Sequence, residues 1–232
     1  MTTPEVDLTS PKGRIIAAAL ALASERPWRE VALRDVAERA SITLAGMREH
    51  FASKSEIIAG LMRAVDDAVL AVAPAAASGE PKRDQLFEVI MARLDALQPY
   101  RTALRSMSAE VTADPVLMRA MASSQAWMLQ AAGIDAGGIE GGMRVAGLAT
   151  VYASVYRIWL EDDDPGLART MAALDRRLRR GERTLSTLDE MGRTARSFAE
   201  GIAAMFARRK PAPASTPEPP TAGAASNEPR HV

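Results

Sequence analysis

The chain has 232 residues, 47% of them hydrophobic, which allows one large domain or a small one joined to a larger one and excludes a wholly disordered chain. It has no cysteine and only two histidines, His50 and His231, which excludes disulfides, thiolate nucleophiles, iron–sulfur clusters and cysteine-ligated or multi-histidine metal sites. Basic and acidic residues balance at 29 each, so any attraction to nucleic acid must come from local placement of charge.

The start, Met1-Thr2-Thr3-Pro4-Glu5, lacks the basic region of a signal peptide, and the longest early apolar run, 15–23, is nine residues. A spanning helix needs ~20, so the expected location is cytoplasmic. Residues 1–9 read as an N-terminal arm. Ser10 as cap and Pro11 at the first helical position open a helix whose face Ile16, Ala19, Leu20, Ala23 follows the 3.6-residue period, and Pro27 closes it. A second helix carries Leu33, Val36, Ala37 and Ala40 on one face. After a break at Ser41-Ile42, a short helix runs from Thr43 to about His50. Ser53-Lys54-Ser55-Glu56 is an S-x-x-E capping box that opens a long helix fading near Pro74.

Residues 74–81 form the one internal linker. Beyond it, the pattern predicts helices near 82–97, 99–109, 115–132, 139–161, 165–180 and 188–207. Asp114-Pro115 and Asp164-Pro165 each place a capping acid before a proline at the first helical position. From 211 the chain holds six prolines among small and polar residues, and 210–232 is expected to be a disordered tail. No strand pattern alternates over a useful length, so the predicted fold class is all-α. Its three N-terminal helices form a helix-turn-helix module ahead of a larger helical domain.

Trp28 to Ile58 is the informative stretch. Val36, Ala37, Ile42, Met47 and Phe51 are spaced to bury the seam between two short helices, and small Ala40 and Ser41 permit their close approach. In a helix-turn-helix the second helix can enter a DNA major groove, although any tight helical hairpin shows the same spacing. Arg48, Glu49 and His50 remain as its outward polar group. The run 34–40 (Arg-Asp-Val-Ala-Glu-Arg-Ala), Met47, and 50–56 (His-Phe-Ala-Ser-Lys-Ser-Glu) resemble the N-terminal signature of the TetR family of regulators, and the first helix, 14–20, fits as well.

That resemblance covers residues 10–60. It implies an all-helical homodimer with one DNA-reading module per subunit, a palindromic double-stranded DNA operator, and a ligand-binding and dimerisation domain, here 61–209. By position it puts Thr43, Leu44, Ala45, Arg48, Glu49 and His50 on the recognition helix. Lys54 matches the family's phosphate-contacting lysine, and Arg34, Lys12 and Arg14 are further phosphate candidates. Arg48 suits a guanine edge and Leu44 a thymine methyl. Four positions depart from the family pattern: Ser41 stands where glycine is usual and Ala32 where a threonine caps. Leu44 replaces a polar residue, and Arg48 replaces a tyrosine that touches phosphate. Residues 10–55 carry eight basic against five acidic side chains, a net of +3, which implies modest and salt-sensitive DNA affinity.

The C-terminal half carries a second resemblance. Residues 153–160 (Ala-Ser-Val-Tyr-Arg-Ile-Trp-Leu), Asp164-Pro165, 170–178 and, less specifically, 131–134 are similar to the ubiquinone-biosynthesis accessory proteins, lipid binders that share the TetR fold. Trp127, Met128, Leu148, Tyr152, Trp159 and Met171 form the candidate pocket for an apolar or lipid-like effector, or are ordinary core. Small Ala146, Gly147, Ala149 and Ala153 suit close helix approach, and homodimerisation is expected through parts of 139–161 and 165–181. The acidic run 161–164 reads as a cap at Asp164 with solvated neighbours and not as a metal site. The arginines at 176, 177, 179, 180 and 183 read as a solvated helix end, or as a contact for an anionic membrane surface.

No phosphate loop, nucleophile elbow or metal motif is present, so neither an enzyme nor a cofactor is expected. Two readings remain: a dimeric, ligand-responsive DNA-binding regulator, most simply a repressor, or a lipid-binding accessory protein of quinone metabolism with a vestigial N-terminal module.

Overall fold

A computed structural model describes residues 4–73, 79–108 and 114–181, and every regular element among them is helical. The helices are α1 (Pro11–Glu25), α2 (Leu33–Arg39), α3 (Leu44–Arg48), α4 (Lys54–Val72), α5 (Lys82–Leu97), α6 (Arg101–Ser108), α7 (Pro115–Ala131), α8 (Gly138–Leu160) and α9, helical over 168–181. Short 3-10 turns, Trp28–Glu30 and Gln98–Tyr100, precede α2 and α6. The expected helix at 188–207, the tail and part of the 74–81 linker lie outside the described residues. None of the described helices is long and apolar enough to cross a membrane.

Local chemistry starts several of these helices where the sequence places them. The Ser10 hydroxyl accepts the Gly13 amide at 3.0 Å ahead of Pro11, and Asp114 accepts the Val116 amide at 2.7 Å ahead of Pro115. At α4, Ser53 accepts from the Glu56 amide at 3.1 Å. The Glu56 carboxylate reaches one residue further back than a capping box requires and takes the Ala52 amide at 2.6 Å.

One expected start is displaced. Asp164 accepts the Gly166 and Ala168 amides at 3.1 Å, but the helix begins at 168, because Leu167 adopts φ +50 and ends the turn that Asp164 closes. Asp162, expected to be solvated, is buried and accepts both the amide and the hydroxyl of Thr170, at 2.9 and 2.7 Å. The Thr170 hydroxyl, first, and its amide hold the Asp162 carboxyl below its usual range.

α1 packs against α2, α4 and α6, while α4 runs on to pack against α5 and α7, and α8 closes over α5, α6 and α7. α4 thus belongs both to the N-terminal module and to the larger helical region. The arm crosses α1 at Gly13, where a side chain would stand 2.5 Å from the Leu8 backbone. Val6 is buried on the common core.

Within the larger region lies a buried polar cluster. Arg93 of α5 pairs with Asp66 of α4 and donates to the Tyr152 hydroxyl at 3.0 Å, while Ser124 donates to Asp66 at 2.9 Å. All four are buried. At the far end of α8, Arg105 and Arg101 of α6 donate to the Leu160 carbonyl, a favourable pairing of cations with a helix C-terminus.

Candidate nucleic-acid interface

The seam between α2 and α3 is apolar and largely buried. Val36, Ala37, Met47 and Phe51 are buried and Ile42 half-buried, so apolar contact fixes the angle between the two short helices. α2 is in turn tied to α1 by two ion pairs: Arg39 grips Glu25 through two bonds of 2.7 Å, and Arg26 meets Asp35 at 2.5 Å. Arg39 holds the Glu25 carboxyl below the usual carboxylate range. The Ala32 amide, more than Arg26, does the same for Asp35. That amide donates to Asp35 at 3.0 Å. Alanine itself has no acceptor, so α2 starts with half of the usual cap.

The turn is made by Ser41 at φ +56, in the left-handed region where glycine is favoured. A side chain there costs about 1 kcal/mol, partly offset by the lower chain entropy of serine in the unfolded state. Ser41→Gly is therefore expected to raise stability by about 0.5 kcal/mol in urea denaturation, with the module's geometry unchanged.

Past the turn, the Thr43 hydroxyl accepts the Gly46 amide at 3.0 Å and caps α3. With Met47 facing inward, Leu44, Ala45, Arg48 and Glu49 stand outward; Leu44 is 53% exposed and His50 half-buried. About half of the apolar Leu44 side chain therefore stands in water on a short helix. It is available to a partner. Arg48 and Arg34 are exposed, and Arg34 adds its charge to those that hold the Asp35 carboxyl low. Lys12 and Arg14 are exposed at the start of α1, where Arg14 donates to the Thr9 carbonyl at 3.2 Å. Lys12 lies on the rim of a groove of about 530 Å³ between the arm, α1 and α4, floored by Ile16, Phe51 and Gly60.

Lys54 is half-buried at the first turn of α4. Its ammonium donates to the Trp28 carbonyl and lies 4.4 Å from the centre of the Trp28 ring. Nothing in the local sequence pattern signals this partnership, which spans 26 positions.

The six candidate pocket residues do not converge. Met128, Leu148, Tyr152 and Trp159 are packed core, whereas Trp127 is 49% exposed on α7 and Met171 38% exposed on α9. Helical period cannot tell a buried stripe from an outward one when both are apolar. Met171 lines a groove of about 440 Å³ between α5 and α9, with Phe87 and Leu178. Tyr152, Tyr156 and Trp159 stack at centroid distances of 5.9 and 5.4 Å, and burial pushes the Tyr156 hydroxyl up from its ordinary pKa.

Residues 15–61 match the model of the family described as bacterial regulatory proteins, tetR family. Among solved structures, the fold is similar to the TetR transcriptional regulator from Nitrosomonas europaea ATCC 19718, with TM-score 0.55 and 24% identity over 72% of this chain and 95% of that one. It is likewise similar to a TetR transcriptional regulator from Rhodococcus sp. RHA1, with TM-score 0.56 and 20% identity over 72% of this chain and 93% of that one. No curated protein matches the chain. The architecture is thus a TetR-type helix-turn-helix module followed by a larger helical region. At 24% and 20% identity, these likenesses are of fold.

Proposed function

We propose that the chain is a DNA-binding transcriptional regulator that reads a palindromic operator as a homodimer, with α3 as the reading helix. The observation that carries this reading is the exposed face Leu44, Ala45, Arg48 and Glu49, held outward by a buried seam inside the segment that matches the tetR family model. Arg48 presents a fork suited to guanine, and Leu44 suits a thymine methyl. Arg34, Lys12, Arg14 and Lys54 serve as phosphate contacts, which fix register without reading sequence.

The second copy is best accommodated on α8. Ile139 is 87% and Met143 56% exposed, and Gly142, Ala146, Gly147 and Thr150 continue the same outward side. Exposed large apolar residues beside small ones suit close helix–helix packing. In this reading the protein is a cytoplasmic repressor. An apolar or lipid-like effector bound by the C-terminal helices favours a dimer whose reading helices are wrongly spaced for successive grooves.

The test is to incubate the protein with sheared DNA from its source at near-physiological salt and sequence what is retained. An enriched, roughly palindromic site is expected. DNA retained without preferred sequence and washed off by modest salt would contradict the regulator and leave the lipid-binding accessory role, which rests on the residues of 131–178 alone.

A further inference from the structure

We propose that Trp28 is the positioning residue for Lys54: its carbonyl and its ring together hold the lysine's charge at the start of α4, where it meets the DNA backbone. The inference rests on the reading of Lys54 as a phosphate contact and adds a residue outside the helix-turn-helix pair to the binding machinery.

A lysine ammonium sits on a flexible four-carbon stem, and fixing it for a phosphate costs rotamer entropy at the moment of binding. Here that ordering is already done. The Trp28 carbonyl accepts one of the ammonium's three N–H groups, and the face of the same residue's indole lies 4.4 Å away, so one residue fixes the charge from two directions. Trp28 is itself immobilised. It is 3% exposed, sits at the head of the 3-10 turn, and donates its backbone N–H to the Ser106 hydroxyl of α6 at 2.9 Å. The same hydroxyl lies 3.5 Å from the Arg26 carbonyl. The turn before α2 is therefore anchored on α6, and the lysine is anchored on the turn.

The experiment measures binding of the full chain to a random-sequence duplex over a salt series, because non-specific affinity reports phosphate contacts alone. Lys54→Ala is expected to lower the slope of log affinity against log salt by about 0.9 per subunit. Trp28→Leu is expected to weaken binding in the same direction, Trp28→Phe to restore most of it, and Trp28→Leu with Lys54→Ala to be no weaker than Lys54→Ala alone. Independently of any variant, the Lys54 ε-methylene NMR signal of the wild-type protein is expected upfield of an ordinary lysine through the indole ring current. It is expected to stay upfield when duplex is added.

An ordinary chemical shift in the free protein would overturn the proposal, whether or not Trp28→Leu folds. So would a folded Trp28→Leu that binds as wild type while Lys54→Ala is weakened, or effects of the two changes that simply add. If Lys54→Ala itself left the salt slope unchanged although the upfield signal was present, the phosphate reading of Lys54 would fall first, and the proposal with it.

Discussion

The Arg48→Ala, Lys54→Ala double variant is expected to stay folded and to lose its hold on the operator. Arg48 is exposed and makes no ion pair among the described residues, so its removal leaves the fold intact. A bidentate arginine–guanine contact is worth about 1–3 kcal/mol, roughly 5- to 150-fold per half-site, and its loss relaxes the preference at one base pair. Lys54 acts differently. Its loss lowers affinity for every duplex alike and reduces the salt slope by about 0.9 per subunit. Fluorescence anisotropy on the retained duplex, with a thermal melt of each variant, separates the two effects. A folded double variant that bound as tightly as wild type would mean that α3 is not the reading helix.

Arg93→Met is expected to have the largest effect on stability. Arg93 and Asp66 form a buried pair; Ser124 donates to the same Asp66 oxygen, and Arg93 also donates to the Tyr152 hydroxyl. Removing the cation strands Asp66 in the interior, which costs about 3–5 kcal/mol for a buried pair broken on one side. The double change Arg93→Met with Asp66→Asn removes both charges and is expected to recover a large part of that loss. Urea denaturation at fixed protein concentration checks both, with the midpoint of the single variant falling well below that of the double. Equal midpoints would show that the pair is hydrated and contributes little.

The contrast between helix starts shows what was legible in the sequence. Ser10-Pro11, Ser53 and Asp114-Pro115 act through amides two or three residues away, so the pattern alone locates them. Asp164-Pro165 is the same signal and misleads. There the start is set by the left-handed Leu167 and by buried Asp162 reaching Thr170, neither of which a dipeptide encodes. Asp66 and Arg93 carry no signal in the local pattern that marks them as a buried pair. Their burial depends on Tyr152, which lies 59 positions beyond Arg93.

The site divides in the same way. The outward face of α3 was legible because Met47 and Phe51 define the inward one at helical spacing. Ser41 was recognisable as a departure from glycine, and its φ of +56 shows that the turn keeps glycine's conformation without glycine. The Trp28–Lys54 pair was not legible, since contact between them arises only when α1, α4 and α6 pack. The apolar candidates of the C-terminal half, open between pocket and ordinary core in the sequence, divide for a related reason. Trp127 and Met171 share a period with core residues but face outward.

The most direct test of the central claim is site-specific photo-crosslinking to the retained duplex. A photoreactive residue is placed at exposed Ala45 on α3 and, in a separate protein, at exposed Met143 on α8. DNA crosslinked from position 45 and not from position 143 is the predicted result. Crosslinking from position 143 with none from 45 would contradict the assignment of α3 as the helix that enters the groove.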